Sequence, residues 1–484
     1  MANRDRLSGL DSSFLHLEGD ATHMHVAACA VFKGEAPAHA ELVHQIESRL
    51  HLVPRYRQRL AFVPFDQGRP VWVDDPHFKV AFHVRHTALP RPGGDEELKR
   101  LAGRVFSQAL DRTRPLWELW LVEGLANGHF ALLFKTHHAL VDGISGVDIA
   151  TVLFDAVPNP LPVPAPEQDW IARPLPTGAQ LLADALLERA TVPKEIVRGV
   201  RHASRGPRQV VGRVGRALVG FGALAWAGLR AAPKTPFNVR IGPHRRFTWV
   251  DADLSDFKAV KNALGGTVND VVLTVVAGAL GHYMRLHGHR TDRLELKALV
   301  PVSVRADIER GALGNRVAAM WAPLPVGVTD PIERLAEVRR AMQGVKESGQ
   351  AVGAQVLTQL SGFAPPTVMA QAARLQARQR LFNLVVTNVP GPQLQLYMLG
   401  RELERIIPMV PLAENTALGI AIMSYNGQLT FGLIADYDAL AELEALADEL
   451  EAAIEELVEA AAPPPGNGRA SAARSRRSVI SARE

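Results

Sequence analysis

The segment His137-His138-Ala139-Leu140-Val141-Asp142-Gly143 contains residue types that suit proton transfer. It follows a strand-like run and precedes a helix-like one, so its side chains would lie on a loop that can open to a cleft. An imidazole titrates near neutrality, and a neutral His138 could take a proton from an alcohol or amine that attacks a carbonyl. Adjacent histidines on extended backbone point to opposite sides, so one of the pair must be structural.

The other residues of this segment leave several interpretations open. Asp142 could orient an imidazole, or it could pair with a distant arginine and hold the loop. Gly143 has no side chain, so a ligand or the backbone can come close. Among seventeen histidines a chance pair is unremarkable, and a hydrogen-bonded structural role is as good an explanation as catalysis. A metal site is disfavoured because no Cys cluster or HExxH motif is present, and the lack of a GxSxG motif favours direct transfer over a covalent intermediate.

The elements around this segment alternate between strand and helix patterns, which predicts a mixed α/β domain. The predicted elements of the first part are strand 25–32, helix 38–50, helix 96–109, strand 117–123, strand 129–136 and helix 145–154. In strand 129–136, Phe130, Leu132 and Phe134 share one face, and Ala131, Leu133 and Lys135 share the other.

A second α/β unit is predicted from about Arg246 onward. Its predicted strands are 294–304, 317–324 and 384–387, and Asn426-Gly427 between two alternating runs indicates a hairpin. Thr267-Val268-Asn269-Asp270 has the spacing of a capping box at a helix start. The helix after Asp438 carries one apolar stripe, formed by Leu440, Leu443, Leu446, Leu450, Ile454 and Leu457.

Composition divides the chain into four parts. Residues 1–156 form the first domain. Residues 157–243 form a linker, which begins with a proline-rich segment after the first domain and continues as a basic, amphipathic, helical stretch. Residues 244–462 form the second domain. Residues 463–484, rich in proline, serine and arginine, predict a disordered basic tail.

The bulk composition excludes several classes of protein. A chain of 484 residues with 47% hydrophobic and 21% charged residues is typical of a globular protein of about two domains. The single cysteine, Cys29, lies in an apolar run and favours a core thiol in a reducing compartment. The first residues lack the apolar stretch of a signal peptide, and the longest uncharged apolar run, 217–229, is too short to span a bilayer. With 6% aromatic residues, a nucleic-acid partner is disfavoured.

Several short motifs occur in order along nearly the whole chain. They include HHALVDG at 137–143, LSGLDSSFLHLE at 7–18, MHV at 24–26, RPLWE at 114–118, GPHRRF at 242–247, TVNDVVL at 267–273, PVSVR at 301–305, GN at 314–315 and TNVPGP at 387–392. HHALVDG matches the HHxxxDG signature of the CoA-dependent acyltransferase superfamily. The chain as a whole resembles the bacterial wax ester synthase/diacylglycerol acyltransferases.

The resemblance implies two chloramphenicol-acetyltransferase-like domains, each a mixed sheet with flanking helices, that enclose a tunnel with His138 near its middle. It implies attack of a lipid hydroxyl on an acyl-CoA thioester, with His138 as the base. Acyl-CoA is then a co-substrate, diacylglycerol or a long-chain alcohol is the acceptor, and no cofactor or metal is expected. Asp142 becomes a structural partner, and Arg305 is a candidate for its pair.

Other family motifs have competing interpretations. The resemblance suggests that Asn269 and Asp270 matter for activity, although helix capping by Asp270 is at least as good an explanation. Pro115, Leu116 and Trp117 suit packing or a tunnel wall. Asn388 could donate to a thioester oxygen or simply form a turn.

Two arginines and a longer basic stretch suggest contacts with anionic groups. Arg245 and Arg246 could meet CoA phosphates or form a solvated charge pair. The stretch 194–230 alternates arginines with valines and leucines and then becomes apolar, which suits an interfacial helix on anionic lipid or an ordinary linker helix. The expected location is cytoplasmic, at the inner membrane face or on lipid droplets. Two competing functions are a condensation-type domain acting on carrier-bound substrates and a non-catalytic lipid-binding protein.

Overall fold

The computed structural model describes residues 5–141, 153–188, 231–303, 317–347 and 380–462. Its first half contains helices α1 (Gly9–Leu17), α2 (His39–Arg49), α3 (Val80–His83), α4 (Asp95–Phe106) and α5 (His138–Val141). The strands of this half are β1 (His25–Phe32), β2 (Gln58–Ala61), β3 (Val71–Asp74), β4 (Val84–Ala88), β5 (Trp117–Glu123) and β6 (Phe130–His137). A further helix covers residues 178–188.

The second half contains strands β7 (Arg245–Asp253), β8 (Leu296–Ser303), β9 (Val317–Leu324), β10 (Leu384–Pro390), β11 (Tyr397–Met398), β12 (Arg401–Met409), β13 (Leu418–Tyr425) and β14 (Gln428–Asp436). Its helices are Leu254–Leu264, Val268–Leu286, Pro331–Glu347 and Leu443–Ala461. The α/β class and the division into two sheet-and-helix units agree with the predicted fold.

The first sheet is completed by strands from the far end of the chain. Its order is β11-β12-β1-β6-β5-β4, so β12 pairs antiparallel with β1. The second sheet has the order β7-β14-β13-β10-β8-β9, in which β10 is parallel to both of its neighbours. Residues that the sequence assigns to the second domain therefore build an edge of the first sheet.

Two large apolar cores lie on opposite faces of the first sheet. One contains Leu132, Phe130 and Trp117 and covers the face toward α2. The other contains Cys29 and Leu133 and continues without a break into the helices and sheet of the second half. Both faces of β6 are thus covered, which explains why every residue of this strand, including Lys135, is buried.

Most predicted elements recur within a few residues of their predicted ends. Strands 25–32, 117–123 and 317–324 have the predicted bounds, and the hairpin turns at Asn426 and Gly427, both with positive φ (44° and 84°), as two-residue turns require. The stripe of the last helix is buried, from Leu443 to Leu457. The predicted helix 145–154, most of the linker, and the tail fall largely outside the described residues.

Among the described residues, no single helix is long and apolar enough to cross a bilayer. The bent pair Leu254–Leu264 and Val268–Leu286, with 101° between its helices, would pass by length and composition alone. Most residues of the second helix of this pair are buried inside the protein.

Candidate active site

His137 ends β6 and is held through its main chain and through Nδ1 of its ring. Its main-chain N–H donates to the carbonyl of Leu116 over 2.9 Å. Its Nδ1 accepts from the N–H of Ala139 over 3.0 Å, so in the neutral ring the proton is on Nε2. Nε2 lies 3.3 Å from Oε1 of Glu18, and the side chain is only 2% exposed. His137 is therefore fixed in place and holds the backbone that follows it.

His138 begins α5 and has different surroundings. Its main-chain N–H donates to the carbonyl of Met24 over 2.8 Å. Its ring stacks on that of Phe14, with centroids 4.3 Å apart and an angle of 19° between the planes. Unlike His137, the residue is partly exposed. His138 is thus the member of the pair that a substrate can approach.

Glu18 connects α1 to this pair and was not singled out as a site residue by the sequence. Its Oε1 accepts from the N–H of Met24 over 2.8 Å, and its Oε2 accepts from Nε of Arg112 over 2.9 Å. Burial alone would raise the pKa of Glu18, but His137 and Arg112 more than offset this and lower the pKa to about 2. The carboxylate is therefore ionised throughout the neutral range.

Local sequence explains how α1 presents its two site residues. Ser8 caps the helix by accepting from the N–H of Asp11 over 3.1 Å. Phe14 lies on α1, and Glu18 is the first residue after the helix, four positions on, so its side chain leaves from near the same side. One reaches His138 and the other reaches His137. The motif LSGLDSSFLHLE was the available signal, although it does not reveal the partners.

A layer of buried polar groups supports the strands below the pair. Lys135, which is fully buried, donates to the carbonyls of Val105 and Gln108 over 3.1 and 3.0 Å, and burial lowers its pKa. His25 pairs with His137 across β1 and β6, and its Nε2–H donates to the carbonyl of Phe106 over 3.0 Å. Burial holds the pKa of His25 well below its usual value, so this ring is neutral. These bonds fix the end of α4 and the residues just after it beneath β1 and β6.

Pro115, Leu116 and Trp117 pack next to the pair. All three are buried, and Trp117 is 1% exposed. The Trp117 indole donates to the carbonyl of Tyr56 over 2.8 Å and stacks on His83 at 4.6 Å. Through the bond from His137 to Leu116, this packed segment holds the end of β6.

The Asn-Asp motif lies at the start of helix Val268–Leu286. Asp270 closes a capping box with Thr267: its N–H donates to the Thr267 hydroxyl over 3.2 Å, and its Oδ2 accepts from the Thr267 N–H over 2.8 Å. Asn269 accepts from Nδ2 of Asn388 over 3.3 Å. The structure thus brings Asn269 and Asn388 into contact near the end of β10. Neither residue is among the contacts described above for His138.

Three predicted site residues, Asp142, Gly143 and Arg305, lie outside the described residues, and so does the basic stretch 194–230. The pairing of Asp142 with Arg305 stays a prediction. Within the described ranges no group of three His, Cys, Asp or Glu side chains is arranged to hold a metal ion.

The suggestion that Arg245 meets CoA phosphates does not fit its position. The side chain is buried and donates to the carbonyls of Gly242, His244 and Ala21. Arg246 lies over the ring of Tyr437 at 3.9 Å and donates to its carbonyl. Arg245 thus joins the two halves of the molecule, because a guanidinium with several carbonyl partners stabilises the segments it spans.

Models of two protein families match consecutive parts of the chain. Residues 7–272 match the wax ester synthase/diacylglycerol acyltransferase catalytic domain, and residues 313–458 match the C-terminal domain of the same family. The chain belongs to the wax ester synthase/diacylglycerol acyltransferase family. The resemblance seen in the sequence is therefore confirmed, and the protein is an acyltransferase of this family.

Relatives and solved structures agree with this family over nearly the full length. Two Mycobacterium tuberculosis proteins named as diacylglycerol O-acyltransferases are 33% and 34% identical, covering 95% and 93% of this chain and 91% and 98% of their own lengths. The wax ester synthase/diacylglycerol acyltransferase from Marinobacter aquaeolei VT8 is 31% identical with a TM-score of 0.64, over 94% of this chain and 99% of that one. The first condensation domain of the CDA synthetase, 17% identical with a TM-score of 0.54 over 95% and 96% of the two chains, shares the fold.

Proposed function

We propose that this acyltransferase moves a long-chain acyl group from acyl-CoA to the hydroxyl of diacylglycerol, of a long-chain alcohol, or of both. The observation that carries the proposal is the unequal environment of the two histidines. His137 is buried, accepts a hydrogen bond at Nδ1 and has Nε2 3.3 Å from Glu18, whereas His138 is partly exposed and stacks on Phe14. We therefore assign to His137 the role of holding the backbone around His138, and to His138 the exchange of a proton with the substrate.

The reaction follows from a base beside a thioester. Neutral His138 takes the proton of the acceptor hydroxyl as its oxygen attacks the thioester carbon. The tetrahedral intermediate then collapses, the carbon–sulfur bond breaks, and the CoA thiolate leaves. Protonated His138 returns the proton to that thiolate, so the products are an ester and free CoA and the enzyme is unchanged. No acyl-enzyme is formed in this scheme.

Glu18 contributes to this scheme as a positioning residue. Its ionised carboxylate faces Nε2 of His137, which favours the tautomer whose Nδ1 accepts from Ala139. Ala139 is the residue after His138, so the same bond fixes the first turn of α5. The orientation of His138 therefore depends on Glu18 through His137 and on Phe14 through direct stacking.

The lipid acceptor is favoured over a carrier-bound amine by the relatives. The two mycobacterial proteins that match along nearly the whole chain are named for diacylglycerol acylation. The condensation domain is similar in fold at 17% identity and supports no substrate. We also propose a cytoplasmic location at the inner membrane face or on lipid droplets, which the basic stretch 194–230 supports by its composition.

The test is to incubate purified protein with palmitoyl-CoA and either diacylglycerol or hexadecanol, and to follow CoA release and ester formation. His138→Ala should lower kcat by at least about a hundredfold with either acceptor. The matched control is His86→Ala, which removes a surface histidine that pairs with Glu123 and should leave turnover unchanged. Turnover with neither acceptor would refute the substrate assignment, and full activity in His138→Ala would refute the mechanism.

A further inference from the structure

The start of β1 lies beside both histidines of the site. His25 begins this strand and pairs in register with His137 of β6. The residue before it, Met24, accepts the main-chain N–H of His138 at its carbonyl over 2.8 Å. The N–H of Met24 donates to Oε1 of Glu18, also over 2.8 Å. A shift of the first residues of β1 would therefore disturb both the main chain of His138 and the carboxylate that faces His137.

The ring of His25 has one bonded nitrogen and one without a partner. The residue is 6% exposed, and its Nε2 lies 3.0 Å from the carbonyl oxygen of Phe106. A carbonyl can only accept, so the proton of the neutral ring is on Nε2 and Nδ1 carries a lone pair. Nδ1 is buried and has no hydrogen-bond partner within the part of the chain that the structure describes. Buried polar atoms of this kind are uncommon and call for an explanation.

A cleft between the two halves of the molecule adjoins this ring. Its lining includes His25 and Phe106 from the first half and Arg245, Leu412 and Ile434 from the second. His23 lines it as well, and its ring stacks on that of His25 with 5.8 Å between the centroids. The described lining residues are apolar or basic and include no carboxylate. A positive charge on the His25 ring would therefore meet no counter-ion in the cleft.

The charges around His25 also disfavour a proton on it. The charged and titratable groups near it are Lys135 and His137 on β6, Glu18 and His23 before β1, and Arg245 with its neighbour Asp436 from the second half. Burial is the main cause that lowers the pKa of His25, and the charge of Lys135 acts in the same direction. Both carboxylates already face arginines. A proton on Nδ1 would create a buried cation near other cations, with an N–H that meets no acceptor.

We infer that His25 is a positioning residue for the proposed reaction: its neutral ring fits the closed cleft and keeps the start of β1 in place, and a proton on Nδ1 displaces it. The displaced state lets water enter the cleft and solvate the new N–H, which the closed state cannot do. Met24 moves with the strand, so His138 loses the carbonyl that binds its main chain. The inference rests on the proposed function, because the base that it positions is His138.

The first experiment measures stability against pH and needs no turnover. The folded pKa of His25 lies below its ordinary value of 6.5, so its contribution to stability is complete above about pH 6.5 and is lost as pH falls below that value. In His25→Gln the amide can still donate to the Phe106 carbonyl but cannot titrate. As pH falls from about 6.5 to about 5, the unfolding equilibrium constant of the wild type should rise up to about tenfold more per pH unit than that of His25→Gln.

His86→Gln is the matched control, because it removes a titrating histidine that is 43% exposed and pairs with Glu123. This variant should keep the pH dependence of the wild type. The comparison uses slopes, so a general loss of stability in His25→Gln does not affect it. Equal slopes for the wild type and His25→Gln would overturn the inference.

A second experiment locates the change in the wild-type protein. Amide hydrogen exchange is followed for the peptide 20–28 at about pH 7.5 and about pH 5.5, with each rate divided by the intrinsic rate at that pH. Protection of this peptide should fall about tenfold or more in acid, whereas β4, at the far edge of the first sheet, should keep its protection. In His25→Gln the peptide should stay protected. Unchanged protection of 20–28 in the wild type would contradict displacement of the strand.

The pH dependence of turnover then tests the link to His138. If His138 alone had to be neutral, log kcat would fall with a slope of about one on the acid side. Below the pH at which His25 gains its proton, the wild-type slope should approach about two, and His25→Gln should return it to about one. His25→Leu cannot bond to Phe106, so at about pH 8 its kcat should be at least about tenfold below that of His25→Gln.

These outcomes separate the positioning role from the proposed reaction. Wild-type protein that shows acid displacement of 20–28 but uses palmitoyl-CoA with neither diacylglycerol nor hexadecanol would refute only the reaction. Normal turnover with the same acid slope in the wild type and His25→Gln would refute only the positioning role.

Discussion

Glu18 and His137 form a buried contact whose charge state is set by the fold. The carboxylate has three donor groups near it: it accepts from the N–H of Met24 and from the guanidinium of Arg112, and Nε2 of His137 lies 3.3 Å away. These donors lower the pKa to about 2 although burial acts in the other direction. Replacing the charge while keeping the shape should therefore disturb both stability and the geometry beside His138.

Glu18→Gln tests this through pH. The folded pKa of Glu18, about 2, lies below its ordinary value of 4.5. The stabilisation is therefore complete above about pH 5 and is lost as pH falls toward 2, with a total of about 3 kcal/mol. The difference in free energy of unfolding between wild type and Glu18→Gln should shrink over that window. Denaturant unfolding at a series of pH values measures it.

The control for this prediction is Glu402→Gln, which removes a half-exposed carboxylate paired with Lys33. A solvent-exposed pair contributes little, so this variant should show only a small difference at any pH. A gap for Glu18→Gln that stays constant from neutral pH down to about 2 would contradict a stabilising ionised Glu18.

At this scale the sequence predicted residue types better than residue partners. His138 was selected as the base from its chemistry and its motif, and the structure gives it the accessible position of the pair. Glu18 could not be paired with His137 from sequence, because the two are distant in the chain and meet only when α1 packs beside the end of β6. Lys135 was seen as one residue of an alternating strand, and only the structure shows carbonyls of the α4 end around it.

The helix Val268–Leu286 depends on a cap that the sequence did reveal. Thr267 and Asp270 satisfy each other's main-chain N–H groups, as the four-residue spacing predicted. Thr267→Ala should lower the free energy of unfolding by about 1 kcal/mol, because an otherwise unbonded N–H loses its acceptor. Thermal unfolding measures this change, and kcat should stay within about twofold, since a cap acts on the helix rather than on the reacting atoms.

A neighbouring helix provides the control for the cap. Asp253 precedes helix Leu254–Leu264 but makes no side-chain capping bond to it. Asp253→Ala should therefore cost only a few tenths of a kcal/mol, roughly the level of a surface substitution. If Thr267→Ala instead abolished activity with stability intact, the Asn-Asp motif would have a role beyond capping.

Element boundaries were predictable where one local signal decided them. The alternation in strands 25–32 and 117–123 and the Asn-Gly pair at 426–427 are encoded within a few residues. The surroundings of β6 were not, because burial on both faces depends on which layers pack there. The second half covers one face and α2 covers the other, and neither can be located from the sequence of β6 itself.

The two halves of the molecule are joined by more than a linker. Strand β12 belongs to the second half of the chain but pairs with β1 of the first. Arg405 on β12 donates to Asp95 of α4 over 3.2 Å and to Asp251 of β7 over 3.0 Å. Ser107, just after α4, accepts from the main chain of Arg245 over 2.9 Å. Only β1 therefore separates β6, the strand that carries His137, from a strand contributed by the C-terminal part of the chain. Such pairing is non-local, and no periodicity in the sequence predicts it.

Strand β12 comes close to the second sheet at Gly432 of β14, which makes this contact testable. A Cβ at this position would lie 1.9 Å from the carbonyl oxygen of Pro408, which is main chain and cannot rotate away. Gly432→Ala should force β12 and β14 apart and lower the free energy of unfolding by about 3 kcal/mol, comparable with severe overpacking. Since β12 also borders β1, turnover should fall together with stability.

Gly344→Ala is the matched control, because this glycine lies inside helix Pro331–Glu347 with nothing near its missing Cβ. Alanine there should stabilise the protein by roughly 0.5–1 kcal/mol through its higher helix propensity. Denaturant unfolding measures both changes in the free energy of unfolding. If Gly432→Ala destabilises the protein and Gly344→Ala stabilises it, the effect at Gly432 comes from its contact with Pro408 and not from the loss of a glycine as such. If Gly432→Ala left the free energy of unfolding unchanged, β12 could move away from the second sheet at no cost. The two halves would then be coupled mainly through the contacts of Arg405 and Arg245.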